Sequence, residues 1–181
     1  MVTYRELTEE EIREDLFRDF QRRQEVTHRL EKTSKGWTVR EDRFAEDWGP
    51  EEYQILVQCL RHTAATGGLV LGAFFQGALK GFVSVEAAPV GSRGQYLEVS
   101  SLHVSRELRG QGGGAALFDA ARRFARKRGF GRLYLSTHPA VETQAFYRAM
   151  GCREAEESQH SQLERTPPDC QLECGTEPLH R

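Results

Sequence analysis

Between residues 108 and 117 the chain reads LRGQGGGAAL, which places four glycines within positions 110–114. A glycine inside a helix costs about 0.5–1 kcal/mol relative to alanine, so bare main chain must serve something here. From Ala115 onward the sequence reads as a helix with Leu117, Ala121, Phe124 and Ala125 on its inner face. The start of a helix carries unpaired N–H groups and the positive end of its dipole, an environment that favours phosphate. Glycines there let phosphate oxygens approach the amides. They also permit close packing of a helix on a sheet, so both readings start open.

Two phosphate-binding designs fit poorly. A nucleoside-triphosphate loop needs Lys-Ser/Thr at the helix start, where this chain has Ala115-Ala116. The dinucleotide fingerprint is matched literally by Gly110, Gly112 and Ala115. It also requires a carboxylate about 20 residues on, at the end of the next strand. That strand ends Ser136-Thr137-His138.

The elements around the loop set its context. VTYREL (2–7) alternates as a first strand. Thr8 and Glu11 form a capping box, with Leu7 and Ile12 at staple positions. Ile12, Leu16, Phe17 and Phe20 then recur at helical spacing, which predicts an amphipathic helix over residues 9 to about 26. Residues 27–49 show no period and read as a long loop. Pro50 opens a second helix, buried through Tyr53, Leu56, Val57 and Leu60. GLVLGAFF (68–75), a QGALK turn and GFVSVEA (81–87) read as a hairpin, followed by a strand at YLEVSSLHV (96–104). The glycine-led helix ends at Gly129; RLYLSTH (132–138) is a strand and VETQAFYRAM (141–150) a short helix stopped by Gly151. A last strand pair is expected at about 152–158 and 169–175, joined by a polar loop with Pro167 and Pro168. Antiparallel strands, one strand–helix–strand crossover and a closing hairpin make a mixed sheet in an α+β fold. The expectation is one domain over residues 1–176 and a flexible tail at 177–181.

An arginine and a glycine loop after a strand form a third design. LHVSRELRGQGGGAAL resembles the acyl-CoA-binding motif of the GNAT superfamily of CoA-dependent N-acyltransferases, Gln/Arg-x-x-Gly-x-Gly/Ala, with Arg109, Gly112 and Gly114 at its fixed positions. AFYRAMGC (145–152) is similar to the family helix that ends aromatic-Tyr-x-x-x-Gly, and the element order from residue 2 to about 175 matches the family fold. The resemblance implies a mostly antiparallel sheet of about seven strands with a central splayed parallel pair and helices on both faces. It implies acetyl-CoA as cosubstrate and no metal. The diphosphate would lie at Arg109, Gly110, Gln111, Gly112, Gly113, Gly114 and Ala115, and pantetheine would pair with the backbone of Leu102, His103 and Val104. A backbone N–H there is the natural donor to the thioester oxygen. Many family members carry an asparagine seven residues before the tyrosine, where this chain has Ala140.

Acetyl transfer to an amine sets two proton demands. An alkyl amine of pKa near 10 is only about 0.1% neutral at pH 7, a handicap of roughly 4 kcal/mol. The departing thiolate benefits from receiving a proton. The resemblance makes Tyr147 the acid beside the sulfur and Glu98 the base, six residues before Val104, although Glu98 also reads as an exposed strand residue. His103 and His138 are alternative bases acting through water. The rival to an enzyme is a silent acyl-CoA-binding sensor or interaction module on the same fold.

In this fold, residues about 20–50 wall the acceptor side. Trp37, Phe44 and Trp48 with Glu41, Asp42, Glu46 and Asp47 could form an aromatic and acidic pocket for a small-molecule or peptide amine, or simply a packed loop. The formal net charge of -2 and pI of about 6.3 give no drive toward nucleic acid or anionic lipid. Arg122, Arg123, Arg126, Lys127 and Arg128 accordingly read as a solvated helix face. The apolar run at 68–75 is far short of the roughly 20 residues of a membrane span, and the N-terminus has no signal-peptide core, so a cytoplasmic protein is expected. Cys59, Cys152, Cys170 and Cys174 lack metal or redox spacing and read as reduced. A homodimer stays open.

Overall fold

The apolar run at 69–75 serves two cores at once. Leu69 and Ala73 bury on one face of the sheet with Val83, Val85, Leu97, Leu117 and Phe118. Val70 and Phe74 bury on the other with Leu7, Ile12, Phe17, Leu60 and Phe82. This two-sided use of one strand follows from the period of two in extended chain.

The computed structural model describes residues 1–157 and 169–179. In chain order, β1 (Thr3–Glu6), β2 (Arg23–Thr33) and β3 (Gly36–Asp47) precede α1 (Pro50–Ala65). Then come β4 (Leu69–Phe75), β5 (Ala78–Val85), β6 (Tyr96–Val104) and α2 (Gly113–Lys127). β7 (Arg132–Thr137), α3 (Val141–Ala149), β8 (Arg153–Glu154) and β9 (Cys170–Gly175) follow. Seven strands form one sheet in the order β1-β4-β5-β6-β7-β9-β8, and β2 and β3 form a separate ribbon. Within the main sheet β6 and β7 run parallel and the other described pairs are antiparallel. Helix α2 packs on one face and α1 on the other, as their core residues show.

The N-terminal third departs from expectation. The apolar spacing over residues 9–26 is real, because Ile12, Phe17 and Phe20 are all buried. Successive tight turns satisfy it instead of a helix: Ile12, Leu16 and Phe20 each donate to the carbonyl three residues back, and a single 3-10 turn covers Glu14–Phe17. The chain then extends into β2. Residues 27–49 are likewise a long antiparallel hairpin with β3, turning at Gly36, whose φ of 110° is open to glycine.

Smaller differences follow. The β4–β5 turn is only Gln76-Gly77, with φ of 51° and 79°, so β5 starts at Ala78. The strand expected at 152–158 shortens to β8, and the loop with Pro167 and Pro168 lies outside the described residues. Arg122 is no part of a solvated face: it is 2% exposed and donates to the Met150 carbonyl and the Cys174 sulfur. Cys59, Cys152, Cys170 and Cys174 are free thiols.

Candidate active site

β6 and β7 pair only at Tyr96–Arg132, Leu97–Leu133 and Glu98–Tyr134. Beyond Glu98, β6 stays with β5 and β7 with β9, so the two strands open into a V. A bulge at Ser100 marks the opening, since Ser84 faces Ser101 while Val85 faces Val99. On the far arm Leu102 and Val104 pack toward α2, and the His103 ring turns to the opposite face, 5.5 Å from Phe82. The edge of β6 from Val99 to Val104 therefore faces the gap with no β7 partner, a template for an extended ligand.

The glycine loop closes the wide end. Gly110 and Gly112 have φ of 78° and 84°, a region that other residues enter only with strain. Gly112 caps α2, and Ala116 makes the first bond of the helix, N to Gly112 O at 3.1 Å. The N–H groups of Gly113, Gly114 and Ala115 thus precede the helical ladder. The first turn of α2 holds no acidic residue to repel an anion. Side chains added at Gly110, Gly112 or Gly113 would enter open space, whereas one at Gly114 would meet the Phe146 ring at 3.2 Å. Packing therefore explains Gly114 and leaves the other three uncovered. Arg109 folds back, its Nε donating to the Val104 carbonyl at 3.1 Å, and ties the loop to the end of β6. Gln111 donates to the Glu107 carbonyl at 3.3 Å.

Helix α3 brings Tyr147 to the α2 side of the gap, 5.9 Å from the Phe118 ring and 5.0 Å from Phe146. Burial pushes its phenol well above the ordinary value; the nearby Cys152 adds to this and the Arg22 charge opposes it. The hydroxyl accordingly keeps its proton at neutral pH. Gln144, buried one turn earlier, donates to Thr137 Oγ1 and to the His138 carbonyl, both at 2.7 Å, and fixes α3 to the tip of β7. Ala140 is fully buried beneath β2, bridged to Arg29, while Leu30 N donates to Pro139 O at 2.8 Å.

Glu98 stands at the apex of the V. Its neighbours Leu97 and Val99 point into the α2-side core, so its carboxyl points to the α1 side. Glu86 lies beside it, joined by Glu86 N to Glu98 O at 2.9 Å, and takes a 2.6 Å hydrogen bond from Thr63 of α1. Burial, with the Glu86 charge second, raises the Glu98 carboxyl above the usual carboxylate range. Glu98 and His103 are five strand positions apart, roughly 16 Å in extended chain.

The ribbon forms a wall over the mouth of the V on the α1 side. Asp42, Phe44, Glu46 and Trp48 alternate inward, whereas Glu41 and Asp47 face solvent and Trp37 is 43% exposed at the far end. The expected aromatic and acidic set therefore divides in two. Phe44 lies 5.1 Å from the His138 ring and Trp48 4.7 Å from His103. Arg22, within the helix expected over residues 9–26, is buried here. It donates Nε to His103 Nδ1 at 3.1 Å and Nη2 to Glu46 Oε2 at 3.0 Å. His138 Nδ1 likewise accepts from Ala140 N at 3.0 Å. An imidazole accepting at Nδ1 carries its neutral-form proton on Nε2, so neither His103 nor His138 offers a basic Nε2 to an amine. Among the described residues no cluster of His, Cys, Asp or Glu suits a metal ion, and no helix is long and apolar enough to cross a membrane.

A sequence model of the acetyltransferase (GNAT) family matches residues 10–152. The chain belongs to this family of acyl-CoA-dependent acetyltransferases, whose cosubstrate is acetyl-CoA. No curated protein matches in sequence. Solved structures share the fold. Nourseothricin acetyltransferase aligns with a TM-score of 0.71 and 20% identity, covering 97% of this chain and 99% of that one. A Bacillus anthracis protein assigned as a streptothricin acetyltransferase, in complex with acetyl coenzyme A, aligns with a TM-score of 0.71 and 15% identity over 97% and 98% of the two chains. The ribosomal-protein-S18-alanine N-acetyltransferase from Escherichia coli gives 0.60 and 14% identity over 99% and 97%.

Proposed function

We propose that the protein transfers the acetyl group of acetyl-CoA to a primary amine by direct attack within a ternary complex. The observation that carries this reading is the V between β6 and β7, with Glu98 on one face of the sheet and Tyr147 on the other. In this reading the diphosphate rests on the amides of Gly110, Gln111, Gly112, Gly113, Gly114 and Ala115, beside the Arg109 guanidinium. Pantetheine runs along Leu102, His103 and Val104, and an amide there holds the thioester oxygen as it gains charge.

The amine enters from the ribbon side and passes its proton to Glu98, directly or through water. A carboxylate raised above its ordinary range by burial and the Glu86 charge is a stronger base than an ordinary one. Attack gives a tetrahedral intermediate, and its collapse expels the CoA thiolate toward α3. Tyr147 then donates its proton to that sulfur and regains one through water as the new amide nitrogen sheds its second proton. The same burial that raises the phenol also raises the thiolate's proton affinity, which keeps the transfer from being steeply uphill. Similar structures are named for antibiotic and ribosomal-protein acceptors, consistent with one donor site serving different amines.

The test is thiol release from acetyl-CoA across a panel of primary amines. Release that requires both acetyl-CoA and an amine is expected. Saturable acetyl-CoA binding with no release for any amine would make the protein a binding module instead.

A further inference from the structure

Arg22 is 7% exposed, and two of its three nitrogens are accounted for by His103 and Glu46. The third, Nη1, is buried and has no hydrogen-bond partner among the described residues. A buried donor left unmet costs about 1–3 kcal/mol, more when charged, and an acceptor oxygen on a ligand would recover that cost. Its surroundings fix its place. Trp48 lies 5.2 Å from its guanidinium carbon, and its charge reaches both Tyr147 and Arg109. It therefore stands where the acceptor wall meets the cofactor gap.

We propose that Arg22 recognises a carboxylate on the acceptor, so that the amines acetylated are amino-carboxylates such as free amino acids. The argument is one of charge. Glu46, the ion-pair partner of Arg22, keeps about a third of its side-chain surface open, with 32% exposed against 8% for Arg22. Its other oxygen lies 3.9 Å from His138 Nε2. An accessible acid beside a buried base complements a zwitterion. The ligand's carboxylate takes the unmet Nη1 and its ammonium meets Glu46, from which the proton travels through water along the gap to Glu98, roughly 16 Å of strand away. A polyamine would instead draw Glu46 away and leave Arg22 buried without a counter-charge, which is strongly unfavourable.

This inference rests on the acetyltransferase reading for the role of the amine, but binding tests it without turnover. CoA-saturated protein is titrated calorimetrically with free amino acids, their amides and their decarboxylated amines. At least one amino acid should bind on the order of 10- to 100-fold more tightly than its matched amide and amine, as a charge-assisted hydrogen bond requires. Arg22→Gln should erase that gap with CoA affinity kept, and Arg22→Lys should restore part of it. The wild-type comparison stands whether or not a variant folds. Equal binding of acids, amides and amines, or no binding by any acid, overturns the proposal. So does an Arg22→Gln enzyme that loses kcat equally for every acceptor at unchanged KM, which would put Arg22 on the acyl group. Amino-acid binding without thiol release would overturn the transfer reading and leave this one intact.

Discussion

In the proposed function the two sides of the gap would recognise their ligands by different means. On the donor side, the β6 edge and the Gly110–Ala115 loop present main chain. On the side proposed for the acceptor, the ribbon and its ends present Arg22, Phe44, Glu46 and Trp48 as side chains. Main-chain recognition is as rigid as the fold itself, because shifting those amides means shifting α2 and the sheet. Side-chain recognition can be altered residue by residue. A two-stranded ribbon is marginal alone, and this one is stiffened by docking: Gln24 bonds Thr143 at 3.1 Å, Lys32 bonds Glu154 at 2.6 Å and Arg29 bridges Ala140. The proposed function thus pairs a fixed donor cradle with an editable acceptor wall.

Substitutions can break or sharpen that contrast. The largest effect is expected for Tyr147→Phe, which should lower kcat on the order of 100-fold by removing the acid, with acetyl-CoA affinity unchanged in calorimetry. Gly112→Val forces a branched side chain into a left-handed conformation and should weaken acetyl-CoA binding about 10- to 100-fold, as 1–3 kcal/mol of strain implies. The acceptor's own affinity should stay within a few-fold; if acceptor binding collapsed equally, the two sides would not be separable. Trp48→Ala should do the reverse, raising acceptor KM about 10-fold through lost ring contact while sparing acetyl-CoA.

Glu98→Gln should give the smallest change in stability and an informative sign. The folded state raises this carboxyl above its ordinary value, so folding disfavours the charged form. Its contribution to stability is present at low pH and is lost as pH rises from that value through the raised one. Glu98→Gln should therefore raise Tm near neutral pH and leave it unchanged in acid, as differential scanning calorimetry can read. In the wild type the acid limb of kcat/KM should lie above the ordinary carboxylate range, and the variant should lack it.

Main-chain recognition was also the legible half of the molecule. Glycine is the residue whose presence announces exposed backbone, so 110–114 point to bare main chain at the start of α2, and the resemblance of residues 145–152 to the family helix points to Tyr147. The wall was hidden for a physical reason. Ile12, Phe17 and Phe20 are buried as the helical spacing demanded, but tight turns bury them equally well. In β3 the inward residues include Asp42 and Glu46, so polarity does not alternate although burial does. No local signal marks Arg22, whose burial depends on His103, 81 residues away in sequence.

Acetyl-CoA set against S-acetyl-pantetheine, which keeps the thioester and lacks the diphosphate, probes the cradle most directly. Calorimetry should show acetyl-CoA binding on the order of 100-fold more tightly or better, as several amide-to-phosphate hydrogen bonds imply. Matching affinities for the two thioesters would mean that the bare backbone from Gly110 to Ala115 holds no diphosphate.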